Sequence, residues 1–131
     1  MDLGLQNQTA VVIGCARGIG RAVAEAFQTE GANVGWFDRD ATVRELGEAF
    51  VGDVTQLSDL ESAAGQFQET FGRIDHVIFA AGVGSGKFGF PFWNLQPRDW
   101  DQVLAVNLIG AVNASHAFAP HLIDQRGGSF Q

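Results

Sequence analysis

The stretch that most restricts the fold is Thr9–Gly20, TAVVIGCARGIG. A short β-branched run ends on a glycine and gives way to apolar residues at helical spacing. That order predicts a strand buried on both faces, a tight turn and a helix. Ile19, Val23, Ala26 and Phe27 keep the helical spacing, and Gly31 stands where the helix should stop. The alternation then repeats. Asn33–Phe37 (NVGWF) predicts a second strand ending on Asp38, and Ala49–Val51 a third, just before Gly52 and Asp53. In the next segment Ser58 and Glu61 are spaced as a capping box, Leu60, Ala64, Phe67 and Phe71 share one stripe, and Gly72 closes the helix. His76–Ala80 (HVIFA) predicts a fourth strand running into Ala81 and Gly82, followed by an irregular glycine- and aromatic-rich loop over residues 83–95. The longest helix has Pro97 in its first turn and Asp99 at its positive end, with Trp100, Leu104, Asn107, Ala111, Ala114 and Phe118 on one buried face. The closing GGSFQ reads as a turn and the first residues of a further strand.

Strands alternating with helices at this spacing predict right-handed βαβ units around a parallel sheet. The expected architecture is a Rossmann-like, doubly wound α/β fold in three αβα layers. The 131 residues suffice for one domain with a core, here a single domain over 1–131. The sheet is expected to stop before its fifth strand is complete, as though the chain were cut short.

Composition removes other classes. Apolar residues make up 46% and charged residues 18%, a globular balance. A net charge of −7, with Lys87 and seven arginines as the only strong cations, leaves no basic face for nucleic acid. No run of 18 apolar residues occurs and the N-terminus lacks a basic leader, so neither a membrane span nor a signal peptide is expected. The lone Cys15 can form no internal disulfide; as a small loop filler it fits a reducing, cytoplasmic interior. No Cys/His cluster suggests a metal. His76, His116 and His121 have no Ser or Cys partner in a recognisable triad and are expected to be surface or packing residues.

The glycines at 14, 18 and 20 carry the chemistry. Gly14 allows the tight turn, Gly18 lets the backbone approach a diphosphate, and Gly20 lets the helix pack on the strand. The N–H groups of Ala16, Arg17, Gly18 and Ile19 are expected to face the anion with the helix dipole behind them. Asp38, 18 residues beyond Gly20, stands where a carboxylate accepts bonds from the 2′- and 3′-hydroxyls of an adenosine ribose. The same carboxylate repels a 2′-phosphate, which favours NAD; Arg17 and Arg39 are the two cations that could pair with that phosphate and favour NADP. NAD is the expected cofactor.

Taken together, Gly14-Cys-Ala-Arg-Gly-Ile-Gly20, Asp53-Val54, Ile74-Asp75 before Ala80-Ala81-Gly82, and Trp100 with Val106-Asn107 resemble the short-chain dehydrogenase/reductase family. The likeness spans nearly the whole chain in the family's order. It departs at Ile13, where the family usually has threonine, and at Phe79 and Ala80, where it commonly has asparagines that tie neighbouring strands. The resemblance implies that Asp53 bonds the adenine amino group, that the Val54 backbone flanks the ring, and that Ala80, Ala81 and Gly82 pass under the cofactor ribose.

It also implies hydride transfer between a nicotinamide and an alcohol or carbonyl. The family's acid/base is a tyrosine whose pKa is lowered by a lysine four residues on, because an unperturbed phenol near pKa 10 is a poor acid/base at neutrality. A serine orients the substrate, and an asparagine on the long helix supports a proton-relay water. Asn107 matches that asparagine. There is no tyrosine in the chain, and Lys87 does not follow one. The chain is therefore expected to be the family's N-terminal, cofactor-binding half, meeting a small alcohol or carbonyl substrate only with a further segment. The alternative is a non-catalytic module that binds NAD or merely oligomerises. Lys87–Trp93 (KFGFPFW) is read as either a substrate-side wall, a subunit contact or packing under a long loop, and a homo-oligomer is expected.

Overall fold

The alternation of strand and helix is realised as five parallel strands in the order β3-β2-β1-β4-β5. They are β1 (Thr9–Ile13), β2 (Asn33–Asp38), β3 (Ala49–Val51), β4 (His76–Phe79) and β5 (Ser129–Phe130). A computed structural model describes residues 2–87, 89 and 91–131. The helices are α1 (Gly18–Thr29), α2 (Leu57–Phe71), α3 (Asp99–Leu104) and α4 (Gly110–Asp124), the last two joined by a π-helical turn, Ala105–Ile109. Strand β4 is one residue shorter than expected.

The period-two alternation of a strand decides which layer each side chain enters. In β1, Val11 and Ile13 join Phe37, Leu60, Phe67, Val77, Ala114 and Phe118 on the side of α2 and α4. Val12 points the other way, to Ala24, Val34, Trp36 and Val43 on the side of α1. All five residues of β1 are buried, as a central strand requires. Phe67 presses so closely on β2 that a Cβ at Gly35 would lie 3.0 Å from its ring.

Two local expectations are corrected. Ser58 does not cap α2: Gln56 occupies the N-cap without a side-chain bond. A tight turn ahead of the helix displaces the box, since both the N–H and hydroxyl of Thr55 donate to Asp53 Oδ1 at 2.8 Å, and Asp59 Oδ2 accepts the Asp53 N–H at 2.9 Å. On the long helix, Trp100, Leu104 and Asn107 are exposed while Ala114 and Phe118 are buried. The π turn inserts an extra residue and so breaks the 3.6-residue register between the two ends of the expected stripe. The helical run Asp99–Asp124 is long and apolar enough to cross a membrane by length and composition alone. Its Ala114, Ala117 and Phe118 face is packed in the core beside α2.

Asp75 ties the sheet at its N-terminal edge. Its Oδ2 accepts the buried N–H of Thr9 at 2.8 Å, and Arg73 Nε donates to both carboxylate oxygens. Burial works against the charge, but the Arg73 bonds and the Thr9 amide outweigh it and hold the carboxyl below its ordinary value. A folded-state pKa below the unfolded one contributes stability that is complete above the unfolded value, about 3.9, and is lost as pH falls through the folded one. Urea unfolding followed from pH 6 down to pH 2 should therefore show a stability loss below about pH 4, and Asp75→Asn should flatten that slope.

His76 has a serine neighbour but in a packing role. Its Nδ1 lies 2.8 Å from Ser129 Oγ, across the β4–β5 pair, and its Nε2 lies 2.6 Å from Gln8 Oε1. Gln8 Nε2 donates to the Gly4 carbonyl, which leaves Oε1 as the acceptor. His76 Nε2 therefore carries the proton, and Nδ1 accepts from Ser129. The pair is a staple at the sheet edge remote from the strands' C-terminal ends.

Candidate cofactor cleft

Strand β1 lies between β2 and β4, so the chain's connections diverge to opposite sides at its C-terminal end. Open parallel sheets bind ligands at such a point. There the structure has a cleft of ≈ 390 Å³. Gly14, Arg17, Asp38, Arg39, Asp53, Val54, Ala80, Ala81 and Gly82 all line it, with Gln102, Val106, Thr55 and Val83. The sequence reading missed those last four, and also Phe37 and Gly52, which line the cleft as well. Gln102 and Val106 stand four apart on the long helix, one turn, and Val106 adjoins Asn107, so helical spacing alone could have found them.

The glycine turn closes against the end of β4. Gly14 has φ +88°, its N–H donates to the Phe37 carbonyl at 2.8 Å, and a Cβ there would stand 2.5 Å from the Ala81 nitrogen. Gly20 packs under the Gly14 carbonyl in the first turn of α1. Gly18, φ +64°, has nothing within 4 Å of where a Cβ would sit. Ile19 points to solvent, 82% exposed. Arg17 is the N-cap of α1 with extended backbone, and neither a side-chain cap nor an acidic residue serves the first turn. Those leading N–H groups are free to meet an anion. The Ala16 N–H differs: it donates to Asp38 Oδ2 at 2.9 Å.

Asp38 thus belongs to the loop's own hydrogen bonding. Its Oδ1 accepts the Asp40 N–H at 3.0 Å, and each oxygen keeps a further lone pair. The Thr42 amide and hydroxyl, with a smaller contribution from the charge of Arg17, hold the Asp40 carboxyl below its ordinary value. The corner therefore carries two carboxylates beside Arg17 and Arg39. Asp53 spends Oδ1 on Thr55, leaving Oδ2 for another donor.

Asn107 sits in the π turn rather than in the core. Its Oδ1 accepts the Val83 N–H at 2.8 Å and its Nδ2 donates to the Val83 carbonyl at 3.0 Å, which fixes the segment after β4 along the cleft. On the loop beyond, Phe92 and Trp93 are exposed and meet edge to face. Phe88 and Phe90 lie outside the described residues. Lys87 Nζ reaches Asp99 Oδ2 at 2.5 Å, tying this loop to α3.

Cys15 is buried beneath the turn, and burial, then the charge of Asp38, push its thiol up to about 12. Little thiolate exists at neutrality. A disulfide reagent at pH 8 should leave the native thiol unmodified over minutes and titrate it fully in denaturant; rapid native reaction would contradict this burial.

The short chain dehydrogenase family profile matches residues 8–130. The chain is 32% identical to D-threitol dehydrogenase of Mycolicibacterium smegmatis over 98% of its own length and 52% of that protein. It is 36% identical to acetoacetyl-CoA reductase of Synechocystis over 98% of itself and 53% of that protein. The ligand-free structure of Thermoplasma acidophilum aldohexose dehydrogenase superposes with a TM-score of 0.85 at 26% identity, covering 97% of this chain and 49% of that one. The chain spans about half the length of the curated relatives it matches. By the profile match over residues 8–130, with relatives of the same kind along nearly its whole length, the chain belongs to the short-chain dehydrogenase/reductase family.

Proposed function

We propose that the cleft holds a nicotinamide dinucleotide, NAD in preference to NADP, and that the chain serves as the cofactor-binding half of an oxidoreductase acting on a small alcohol or carbonyl. The observation that carries this is the uncapped first turn of α1 opening beside the cleft that Asp38 and Asp53 line. Bound there, the dinucleotide supplies the hydride donor or acceptor. The residues' own work is positional. Amides at Gly18 and Ile19 receive the diphosphate, Asp38 takes the ribose hydroxyls, Asp53 Oδ2 takes the adenine amino group, and Ala80–Gly82 lie under the second ribose. Asn107 holds the Val83 segment and, as the resemblance implies, supports the proton-relay water. The tyrosine that the resemblance implies as proton donor is not among these 131 residues.

The same reading makes the protein cytoplasmic and self-associating through the exposed Leu108, Ile109 and Val112 of the long helix. Calorimetry with NAD⁺ and NADP⁺ tests the proposal. Micromolar NAD⁺ binding is the expected result; heat from neither dinucleotide would reject it. Binding without turnover by any longer form of the protein would favour the non-catalytic module.

A further inference from the structure

Asn113 is a polar residue on α4 that faces the domain. Its Nδ2 donates to the Val54 carbonyl at 3.0 Å, joining residues 59 positions apart in the chain. One turn earlier, Gly110 lets the helix approach so closely that a Cβ there would stand 2.8 Å from Val54 Cγ2. Val54 is buried between them, 7% exposed, while Val54 and Asp53 also line the cleft. The opposite side of this short loop is held by Asp59 and Thr55. Backbone bonds at 3.0 Å from the Gly52 N–H to the Asp38 carbonyl and from the Gln56 N–H to the Asp53 carbonyl hold it too, and among the described residues the Asn113 bond is the one that reaches the loop from α4. Substituting that side chain removes a donor from a carbonyl at a buried residue, and the loop is then free to shift.

We infer that Asn113 is a positioning residue for the adenine end of the cofactor cleft, acting through the Val54 carbonyl. The inference rests on the cofactor reading above. Asn113 does not itself line the cleft, and the loop it holds lies at the proposed adenine end, so its influence is confined to that corner. Tightness of the loop, rather than new contact with ligand, is what it contributes.

The test compares wild type with Asn113→Leu, which keeps the branching at Cγ but lacks the donor, and Asn113→Gln, which keeps an amide on a longer arm. Hydrogen exchange in the unliganded protein should rise at residues 53–55 in the leucine variant. AMP and NAD⁺ should each bind about five- to tenfold more weakly, the scale of one lost hydrogen bond. Inorganic diphosphate, which probes the glycine turn alone, should bind unchanged, and Asn113→Gln should recover part of the AMP affinity. Unchanged exchange at 53–55, or equal losses for AMP and diphosphate, overturns the inference while leaving the cofactor site standing. Failure of wild type to bind AMP or NAD⁺ overturns both.

Discussion

Gly20→Ala should destabilise the nucleotide end of the fold by about 2–3 kcal/mol and lower the melting temperature by roughly 10 °C, whereas Gly18→Ala should leave the fold standing and weaken only the cleft. Helix propensity alone predicts the reverse at position 20, since alanine exceeds glycine by about 1 kcal/mol inside a helix. Sterics decide otherwise. A Cβ on Gly20 would fall on the Gly14 carbonyl oxygen, which is backbone, and come within 3.1 Å of Ala80 Cβ. Gly14 cannot retreat, because its own missing Cβ already leaves it against the Ala80–Ala81 backbone. Position 18 has the opposite problem. Its φ of +64° costs an alanine about 1–2 kcal/mol, but nothing lies within 4 Å of the added methyl. That vacant volume is where the diphosphate is proposed to sit. Thermal melts beside NAD⁺ calorimetry separate the two: Gly20→Ala loses melting temperature, Gly18→Ala loses affinity out of proportion to stability. Equal melting temperatures for the two variants would show that the turn is not packed as described.

Strands were legible where the physics is local. TAVVI, NVGWF and AFV stand at the observed positions because a buried parallel strand needs an apolar run rich in β-branched or aromatic residues; Gly14 and Gly52 end the first and third, and the second runs on through Asp38. Parallel pairing was legible in the same way, but the order β3-β2-β1-β4-β5, which puts the switch point beside β1, was not, because right-handed crossovers fit several strand orders. Failures gathered where a distant contact overrides spacing. Ser58 and Glu61 make a sound capping box by pattern, yet Asp53, Thr55 and Asp59 form a competing network that starts the helix elsewhere. Asn107 falls on a helical stripe only if the helix is regular, and nothing in AVNLI announces a π turn. Ala16 looked like an anion donor, but only the folded loop reveals that Asp38 takes its N–H. The cross-strand pairing of His76 with Ser129 needed the β4–β5 register, which lies far beyond any sequence window.

Asp38→Asn should raise the affinity for NADP⁺ relative to NAD⁺ by about 100-fold. A unit charge 4 Å from a phosphate charge is worth about 4 kcal/mol at a surface-like dielectric, and a tenfold ratio is about 1.4 kcal/mol. Arg17 and Arg39 line the same cleft and offset part of that repulsion, which is why the expected change stays below the full Coulomb figure. The substitution also has a structural cost. Asp38 uses one oxygen for the Ala16 N–H and the other for the Asp40 N–H, and an asparagine offers only one acceptor. One loop amide must therefore turn to water, and NAD⁺ affinity should itself fall by about three- to fivefold. Raising the salt concentration should shrink the wild-type preference for NAD⁺ and also weaken any attraction of Arg17 and Arg39 for the 2′-phosphate in the variant, because both act by charge, so the two ratios should converge. Titrations of both dinucleotides at low and moderate ionic strength measure all of this at once. A preference ratio that moves less than about threefold would remove the carboxylate from the role assigned to it.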